Sequence, residues 1–238
     1  MILERTENRG WLSNAYLVAD RPGGCGVLVD GNDVLEPLLA RAEADGIDVT
    51  HVLLTHRHPD HVAGVEAAAE RLGAAVVGHP ELGDGDVLRS GDLEIRALET
   101  PGHAPGHLAL LVNESDCLTG DLIFRRTVGG TRGGGPTGFE DLRRSIMERV
   151  LALPPETRLH PGHREPTTVA EEWEENPFVR VWRGLDPEGA ETCRVGGEEA
   201  TLVLWAADYD GGHKAWVRFA AGDDAIVGGS QVDRATGS

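Results

Sequence analysis

The segment THRHPDH, residues 55–61, constrains the fold of this 238-residue chain more than any other stretch. It places three histidines and one aspartate within six residues. The apolar residues 52–54 before it predict a buried strand, and the helical spacing of apolar residues after it predicts a helix over residues 62–72. The cluster therefore lies on a strand-to-helix loop, where several polar side chains can converge on one point.

Histidine and aspartate in this spacing indicate a metal site. Imidazoles and carboxylates are common ligands of zinc and of non-haem iron. His56 and His58 are two residues apart, so in an extended chain they point the same way and can share one ion. Asp60 and His61 lie at the turn into the helix and can face a second ion. A solvated polar loop is the competing interpretation, but the chain has only 10 histidines and three of them fall here.

Three later segments repeat one format, a small-residue turn after a probable strand that ends in a metal-ligand residue type. They are TPGH ending at His103, TGD ending at Asp121 and PGH ending at His163. Glycine in such a turn lets the backbone bend sharply and approach a site closely. Four strand ends are thus predicted to deliver ligands to one place.

The order His-x-His-x-Asp-His, followed by His103, Asp121 and His163, resembles the metallo-β-lactamase superfamily. Within it, the chain is most similar to the short glyoxalase II-like, or hydroxyacylglutathione hydrolase-like, hydrolases. The segments that support the resemblance are SNAYLV at 13–18, PGHAPGH at 101–107, PGHREPTT at 161–168 and NPF at 176–178. The resemblance covers residues 1–185 and implies an α/β fold, an αββα sandwich, for a metallohydrolase domain.

The resemblance also implies a ligand set for two divalent metal ions per chain, with zinc expected and iron or manganese as alternatives. One ion is assigned His56, His58 and His103, and the other is assigned Asp60, His61 and His163. Asp121 is expected to bridge both ions. Asp60 and Asp121 are the expected catalytic residues, because Asp60 could orient a hydroxide as well as bind metal.

A shared hydroxide is the expected nucleophile, since metal binding lowers the pKa of water from 15.7 to about 7. The resemblance implies its attack on an acyl carbonyl, most simply of a small-molecule thioester. A leaving thiolate with a pKa near about 8.5, by analogy with Cys, needs little protonation, whereas an amide or β-lactam nitrogen needs a proton donor. Two alternatives stay open: a mononuclear non-haem iron persulfide dioxygenase of the same fold, and a non-catalytic binding module.

Substrate contacts are less specified than metal ligands. Arg125 and Arg126 open a glycine-rich segment, residues 124–138, and are candidates for binding an anionic substrate group. The resemblance suggests that this segment is a mobile loop over the cleft, and that His107 supports the site or the substrate without binding metal. Asp30 follows a predicted strand, and it either bonds near the ligand loop or merely forms a turn.

Other segments predict the framework. Residues 12–30 predict a β-hairpin, residues 33–45, 139–153 and 167–181 predict helices, and Thr167 or Thr168 is expected to cap the last of these helices. Residues 186–238 predict a small β-rich appendage. Glyoxalase II carries instead a helical region that binds glutathione, so glutathione as the carrier thiol is in doubt. The appendage could pack beside the cleft or form a homodimer contact.

The formal net charge of −18 argues against nucleic acid as a partner. No run of 18 apolar residues occurs, so we expect no membrane span. The sequence begins without a basic segment followed by an apolar one, and its three cysteines form no C-x-x-C pair. We therefore expect no secretion signal, free thiols and a cytoplasmic protein.

Overall fold

A computed structural model describes residues 1–132 and 138–234 of the chain. Its first sheet has the strand order β1-β2-β3-β4-β5. The strands are β1 Ile2–Glu7, β2 Asn14–Ala19, β3 Cys25–Val29, β4 Asp48–Leu53 and β5 Ala75–Val77. The first three strands run antiparallel, whereas β3, β4 and β5 run parallel. The hairpin predicted over residues 12–30 is the β2–β3 pair.

The second sheet has six strands in the order β13-β12-β9-β8-β7-β6. The strands are β6 Val87–Ser90, β7 Leu93–Glu99, β8 Leu108–Val112, β9 Asp116–Gly120, β12 Arg158–Pro161 and β13 Thr167–Thr168. β9 pairs with β12 in parallel, and β8 runs antiparallel to both β7 and β9. The carboxyl ends of β7, β9 and β12 therefore lie at the same edge of the sheet. A short hairpin, β10 Ile123–Phe124 with β11 Thr127–Val128, follows β9.

Six α-helices accompany the sheets in the described part of the chain. They are α1 Glu36–Ala44, α2 Pro59–Val62, α3 Val65–Leu72, α4 Phe139–Arg144, α5 Val169–Glu175 and α6 Pro177–Trp182. A π-helical segment, Ser145–Val150, continues α4. None of these helices is long and apolar enough to cross a membrane.

The buried side chains form layers that match the predicted αββα sandwich, which is confirmed. Between the two sheets, Val18 and Leu53 of the first sheet pack with Ile95 and Leu110 of the second. Helices α1 and α3 cover the outer face of the first sheet through residues such as Leu38 and Ala68. Helices α4 and α6 cover the outer face of the second sheet in another cluster, which includes Leu142 and Phe178.

The C-terminal segment forms a third sheet with the order β17-β16-β15-β14-β18. The strands are β14 Glu191–Val195, β15 Glu198–Ala207, β16 His213–Phe219, β17 Asp224–Gly228 and β18 Val232–Arg234. The two edge strands are consecutive along the chain and are joined by the 3₁₀ turn Gly229–Gln231. The sheet therefore curls until its two edges approach each other, and it encloses a small core of its own around Val217.

The curled sheet is also packed on the sandwich. Because alternate residues of a strand face opposite sides, Val217 of β16 points into the sheet's own core, whereas Trp216 points to the cluster beneath α4. Phe139 of α4 lies 4.9 Å from Trp216 between ring centroids. A division into a domain over residues 1–185 and an appendage over residues 186–238 stays a prediction, since one hydrophobic cluster crosses that boundary.

Several predicted helix bounds were wrong for identifiable reasons. The helix expected over residues 167–181 is two helices, because Asn176 before Pro177 has the extended backbone that a following proline favours. Thr168 caps α5 by accepting a hydrogen bond from the Glu171 amide, as expected. The helix expected from residue 33 begins only at Glu36, since Asp33 has a left-handed φ of 65°. The loop over the cleft predicted for residues 124–138 lies partly outside the described residues, which omit 133–137.

Candidate metal centre

All seven predicted metal ligands follow strand ends at one edge of the sandwich. His56 and His58 lie on the loop after β4, and Asp60 and His61 lie in the single turn of α2. His103 follows β7, Asp121 follows β9 and His163 follows β12. The topology brings these loops together because β7, β9 and β12 point in the same direction. Two donor groups result, His56, His58, His103 and Asp121 in one, and Asp60, His61 and His163 in the other.

The first donor group is a tight triangle of imidazole nitrogens beside a carboxylate. Nδ1 of His58 lies 3.0 Å from Nε2 of His56 and 3.0 Å from Nε2 of His103. Asp121 Oδ2 lies 3.6 Å from Nε2 of His103. His56 and Asp121 are buried, whereas His58 and His103 are half-buried, so the group is reached from the side of His58 and His103.

The second donor group shares Asp121 with the first. Asp121 Oδ1 lies 3.3 Å from Nε2 of His61, and Asp121 Oδ2 lies 3.2 Å from Nε2 of His163. Asp60 Oδ2 lies 3.5 Å from each of these two nitrogens. The Asp121 carboxylate therefore reaches both groups, as its predicted bridging position requires.

The donor atoms fit a cation better than they fit one another. Nδ1–H of His56 donates to Thr55 Oγ1, and Nδ1–H of His103 donates to the Gly130 carbonyl, so the Nε2 atoms of both rings are lone-pair donors facing Nδ1 of His58. One proton on His58 can satisfy only one of them, whereas a metal ion satisfies all three. His61 Nε2 and Asp121 Oδ1 are also buried without a hydrogen bond.

Glycine lets the last ligand turn approach this centre. A Cβ on Gly162 would overlap Asp121 Oδ1 and would lie 2.8 Å from Cε1 of His61. Only a residue without a side chain can place its backbone there. Glycine at position 162 is therefore a steric requirement of the position that the Asp121 carboxylate occupies.

In the metal-free chain, His56, His103 and Asp121 of the first donor group are in the protonation states that bind metal. Burial lowers the pKa of His56 well below its usual range and also lowers the pKa of His103, so both rings are neutral. Burial acts to raise the pKa of Asp121, but the charges of His163 and His61 outweigh it and hold the pKa well below its usual range. Neutral imidazole and ionised carboxylate are the forms that bind metal. Burial acts to lower the pKa of His61, but Asp121 and Asp30 outweigh it and hold the pKa well above its usual range, so metal binding at His61 must release a proton.

Asp30 connects the strand before α1 to the ligand loop. Its Oδ1 accepts the Thr55 amide at 2.8 Å, and its Oδ2 accepts the Thr55 hydroxyl at 2.7 Å and His61 Nδ1–H at 3.0 Å. Of the two roles that the sequence left open for Asp30, the structure thus supports bonding to the ligand loop. The bond to His61 Nδ1 keeps Nε2 of that ring directed toward the second donor group.

His107 lies behind the site and is fully buried. Its Nδ1–H donates to Thr100 Oγ1 at 2.9 Å, and its Nε2 accepts the amide of Asp121 at 3.2 Å. Burial lowers the pKa of His107 to about 3, so the ring is neutral and can accept that bond. His107 therefore supports Asp121. Its contact with substrate stays a prediction, and the full burial of the ring counts against it.

The two predicted substrate arginines lie at the β10–β11 turn and are exposed. Arg126 forms an ion pair with Glu175 of α5, and its amide donates to Glu172 Oε2. The Arg126 guanidinium thus faces α5. Arg125 and Arg126 as anion ligands stay predictions.

Tyr209, which sequence reasoning missed, also reaches the centre. It lies in the β15–β16 hairpin and stacks on His163, with 4.4 Å between ring centroids and 15° between ring planes. The surrounding sequence, DYDGG, signals only a turn. Nothing local indicates a partner 46 residues away, so the contact could not be predicted.

Comparison with known proteins places this centre in a family. Residues 8–85 match the model of the metallo-beta-lactamase superfamily. The structure of ETHE1 from Myxococcus xanthus is 30% identical, with a TM-score of 0.71 over 76% of this chain and 85% of that one. The chain belongs to the metallo-β-lactamase superfamily. The predicted resemblance is confirmed at that level, with hydroxyacylglutathione hydrolases among the homologues.

Two further similar proteins bear on the site. TTHA1623, solved in a di-iron-bound form, is 34% identical, with a TM-score of 0.63 over 74% of this chain and 99% of that one. The hydroxyacylglutathione hydrolase of Cereibacter sphaeroides (strain ATCC 17023) is 36% identical over 162 residues, which are 63% of this chain and 61% of that protein. The matched part of this hydrolase is thus less than two thirds of its length.

Proposed function

We propose that this chain is a binuclear metal-dependent hydrolase of small-molecule thioesters. The observation that carries the proposal is the pair of complete donor groups that share the Asp121 carboxylate. A mononuclear enzyme needs only one of these groups, and a non-catalytic member of the superfamily needs neither. Superfamily membership and a similar protein solved with two irons support the metal requirement.

Each residue of the centre has a distinct role in this proposed reaction. Two metal ions held by the two donor groups would supply an acidified water as nucleophile and would stabilise the negative charge on the acyl oxygen. Asp121 fixes the separation of the two donor groups, and His107 holds the Asp121 backbone from behind. Asp60, whose side chain is 23% exposed, presents Oδ2 at the accessible side of the second group. The Asp60 carboxylate would therefore orient the attacking water as well as hold the metal ion.

A thioester is the favoured substrate class because its leaving thiolate needs little protonation. The relative named hydroxyacylglutathione hydrolase supports the same class. The carrier thiol is not carried over from it, since the match covers 61% of its length and this chain has a curled β-sheet at its C-terminal end. We keep a small thiol as the carrier, no nucleic acid or membrane partner, and a cytoplasmic location in this proposal.

Thiol release by the metal-loaded full chain tests the proposal. A hydroxyacyl thioester of glutathione, an acetyl thioester of coenzyme A and matched oxygen esters form the substrate panel. We expect the thioesters to be cleaved with higher kcat/KM than the oxygen esters, and Asp121→Ala to show no turnover. Thiol release equal in wild type and Asp121→Ala would contradict the assignment. Oxygen uptake with a glutathione persulfide, without thioester cleavage, would favour the dioxygenase.

A further inference from the structure

Four of the five ligand histidines, all except His58, present Nε2 to the donor groups, and they differ in how their orientation is fixed. In three of them, Nδ1 bonds to a fixed protein oxygen: His56 to Thr55, His61 to Asp30 and His103 to Gly130. Such a bond normally orients a metal-binding imidazole and sets its tautomer. Nδ1 of His163 is buried, and it has no hydrogen-bond partner among residues 1–132 and 138–234. The ring of His163 must therefore be oriented in another way.

Aromatic packing holds the His163 ring instead. Tyr209 stacks on one face at 4.4 Å and 15°, and Phe124 contacts it edge-on at 5.6 Å and 73°. Phe124 and Tyr209 also touch each other, with 4.8 Å between centroids. Aromatic contacts of this geometry stabilise a pair of rings beyond the area they bury. Together they restrict rotation of the imidazole about its side-chain bonds.

The hairpin that carries Tyr209 is itself anchored to the sandwich. Nε of Arg164, the residue after His163, donates to the Tyr209 carbonyl at 3.1 Å. Asp208 is nearly buried, pairs with Lys214 at 3.0 Å and accepts the Thr127 hydroxyl at 3.3 Å. A buried ion pair that is also hydrogen-bonded fixes a position well, because breaking it leaves an uncompensated charge. Tyr209 is therefore delivered to His163 by a rigid element.

The same sheet reaches the other donor group through one further contact. Thr131 donates its amide to the Ile226 carbonyl and accepts the Ile226 amide on Oγ1, both at 2.9 Å. The neighbouring Gly130 carbonyl is the oxygen that orients His103. The curled sheet thus contacts a segment that orients His103 in the first donor group, and it contacts His163 in the second. Of the two contacts, only Tyr209 lies directly on a ligand ring.

We propose that Tyr209 is a positioning residue for the second metal ion: its ring replaces the missing Nδ1 hydrogen bond of His163 and keeps Nε2 aimed at Asp60 and Asp121. This role rests on the two-metal site of the proposed function. It makes the C-terminal sheet part of the metal centre, and it gives that sheet a task other than thiol binding or dimer formation.

We call the stack of Tyr209 on His163 the clamp. Cobalt titration of the metal-free full chain tests the clamp without any substrate. Co²⁺ is added alone and its visible absorption is followed through both binding steps, with His163→Ala marking the loss of the second step. Tyr209→Leu removes the stack, and we expect it to weaken the second step by about 10–100-fold, the usual effect of losing an outer partner of a ligand. The first step should stay unchanged, which also reports that the variant is folded.

Two matched variants separate the clamp from other effects. Tyr209→Phe keeps the stack without the hydroxyl and should bind like wild type. Trp205→Leu removes a similar stack from the same sheet, since Trp205 lies on His213 at 4.7 Å and 20°. It should leave both steps unchanged. A weaker second cobalt-binding step in Tyr209→Phe would overturn the clamp. So would a second step in Trp205→Leu that is weakened as much as in Tyr209→Leu.

Failure of the clamp and failure of the proposed function give different patterns. Two tight steps in both wild type and Tyr209→Leu would overturn the clamp alone. A single step in wild type would overturn both. Proton NMR on the unmutated chain covers the case in which Tyr209→Leu does not fold. The ring current of Tyr209 should shift the carbon-bound proton resonances of His163, on which it stacks, upfield of those of His61. The absence of that shift would overturn the clamp.

Discussion

Asp30 Oδ2 lies 3.0 Å from Nδ1 of His61, and both side chains are buried. The same carboxylate accepts the amide and hydroxyl of Thr55, so all of its bonds go to the ligand loop. Asp30 has a φ of 58°, a conformation that aspartate and asparagine tolerate better than most residues. The chain thus bends sharply at Asp30 to place one carboxylate beneath two parts of the metal loop.

Replacing Asp30 by Asn should lower metal affinity by about 10–100-fold, the usual effect of removing an outer partner of a metal ligand. An amide can accept on one oxygen only, so either Thr55 or His61 loses its acceptor. Metal competition with a chelator measures the change. Asp33→Asn is the matched control, because Asp33 has a similar φ of 65° and bonds to Asn8 away from the ligands. Equal affinities in wild type and Asp30→Asn would contradict the role.

Replacing His56 by Ala should abolish metal binding at the first donor group and turnover with it. His56 is buried in the first donor group, and its Nε2 lies 3.0 Å from Nδ1 of His58. Elemental analysis and thiol release on the same sample give both readouts. His51→Ala is the control, since that ring lies on β4 and bonds to Thr50 outside both donor groups. Normal metal content and turnover in His56→Ala would refute the ligand assignment.

Most of this centre could be predicted because its ligands are local in sequence or follow a repeated turn format. His56, His58, Asp60 and His61 come from one strand-to-helix segment, where a rigid scaffold can direct several side chains to one point. The supports were harder to predict. A buried aspartate such as Asp30 looks like any turn residue until its 3.0 Å contact with His61 is known.

The features that could not be predicted depend on packing between distant segments. The hydrophobic period over residues 139–153 indicated one helix, whereas the structure has α4 followed by a π-helical segment, because backbone bonding shifts without changing which side chains are apolar. The contact of Tyr209 with His163 could not be predicted either, because it also depends on packing between distant segments. The helix break before Pro177, by contrast, has a sequence signal, because a proline favours extended backbone in the residue before it. The helical spacing of the apolar residues nevertheless led to the prediction of one continuous helix.

Asn176 should be a major stabilising residue at that break. It is fully buried, its Oδ1 accepts the amides of Phe178 and Val179, and its Nδ2 donates to Glu172 and to the Thr127 carbonyl. Asn176→Ala removes a helix cap and leaves buried polar groups unpaired, so we expect a loss of about 2–4 kcal/mol in the free energy of unfolding. Denaturant titration measures it.

The variant Asn176→Ser separates the two contributions. Serine keeps an acceptor for the α6 amides and loses the donations to Glu172 and Thr127, so it should fall between wild type and Asn176→Ala. A loss below about 0.5 kcal/mol in Asn176→Ala, the size of an ordinary surface change, would contradict the bracing role.

Asp116 should make stability depend on pH in the acid range. Burial acts to raise its pKa, but hydrogen bonds from His160, Arg158 and Ser115 outweigh it and hold the pKa well below its usual range. A carboxyl whose pKa is depressed by folding contributes stability above its unfolded pKa of about 3.9, and loses that contribution as the pH falls further. Asp116→Asn should cost about 2 kcal/mol at pH 7, and the difference from wild type should shrink below pH of about 4.

Denaturant titrations of the chelator-treated chain measure this difference without interference from metal release. Asp92→Asn is the control, because the side chain of Asp92 is 79% exposed and should contribute little at any pH. A difference between wild type and Asp116→Asn that grows toward low pH would have the wrong sign for this network.

The metal content of the gently purified chain decides among the remaining interpretations. The two donor groups predict about two ions per chain by elemental mass spectrometry, and His163→Ala should retain about one, because the first group has four donors without it. Two ions of zinc, iron or manganese would agree with a hydrolase in which Asp121 serves both groups. A single iron in wild type, unchanged in His163→Ala, would mean that the second group holds no metal and would favour persulfide oxidation.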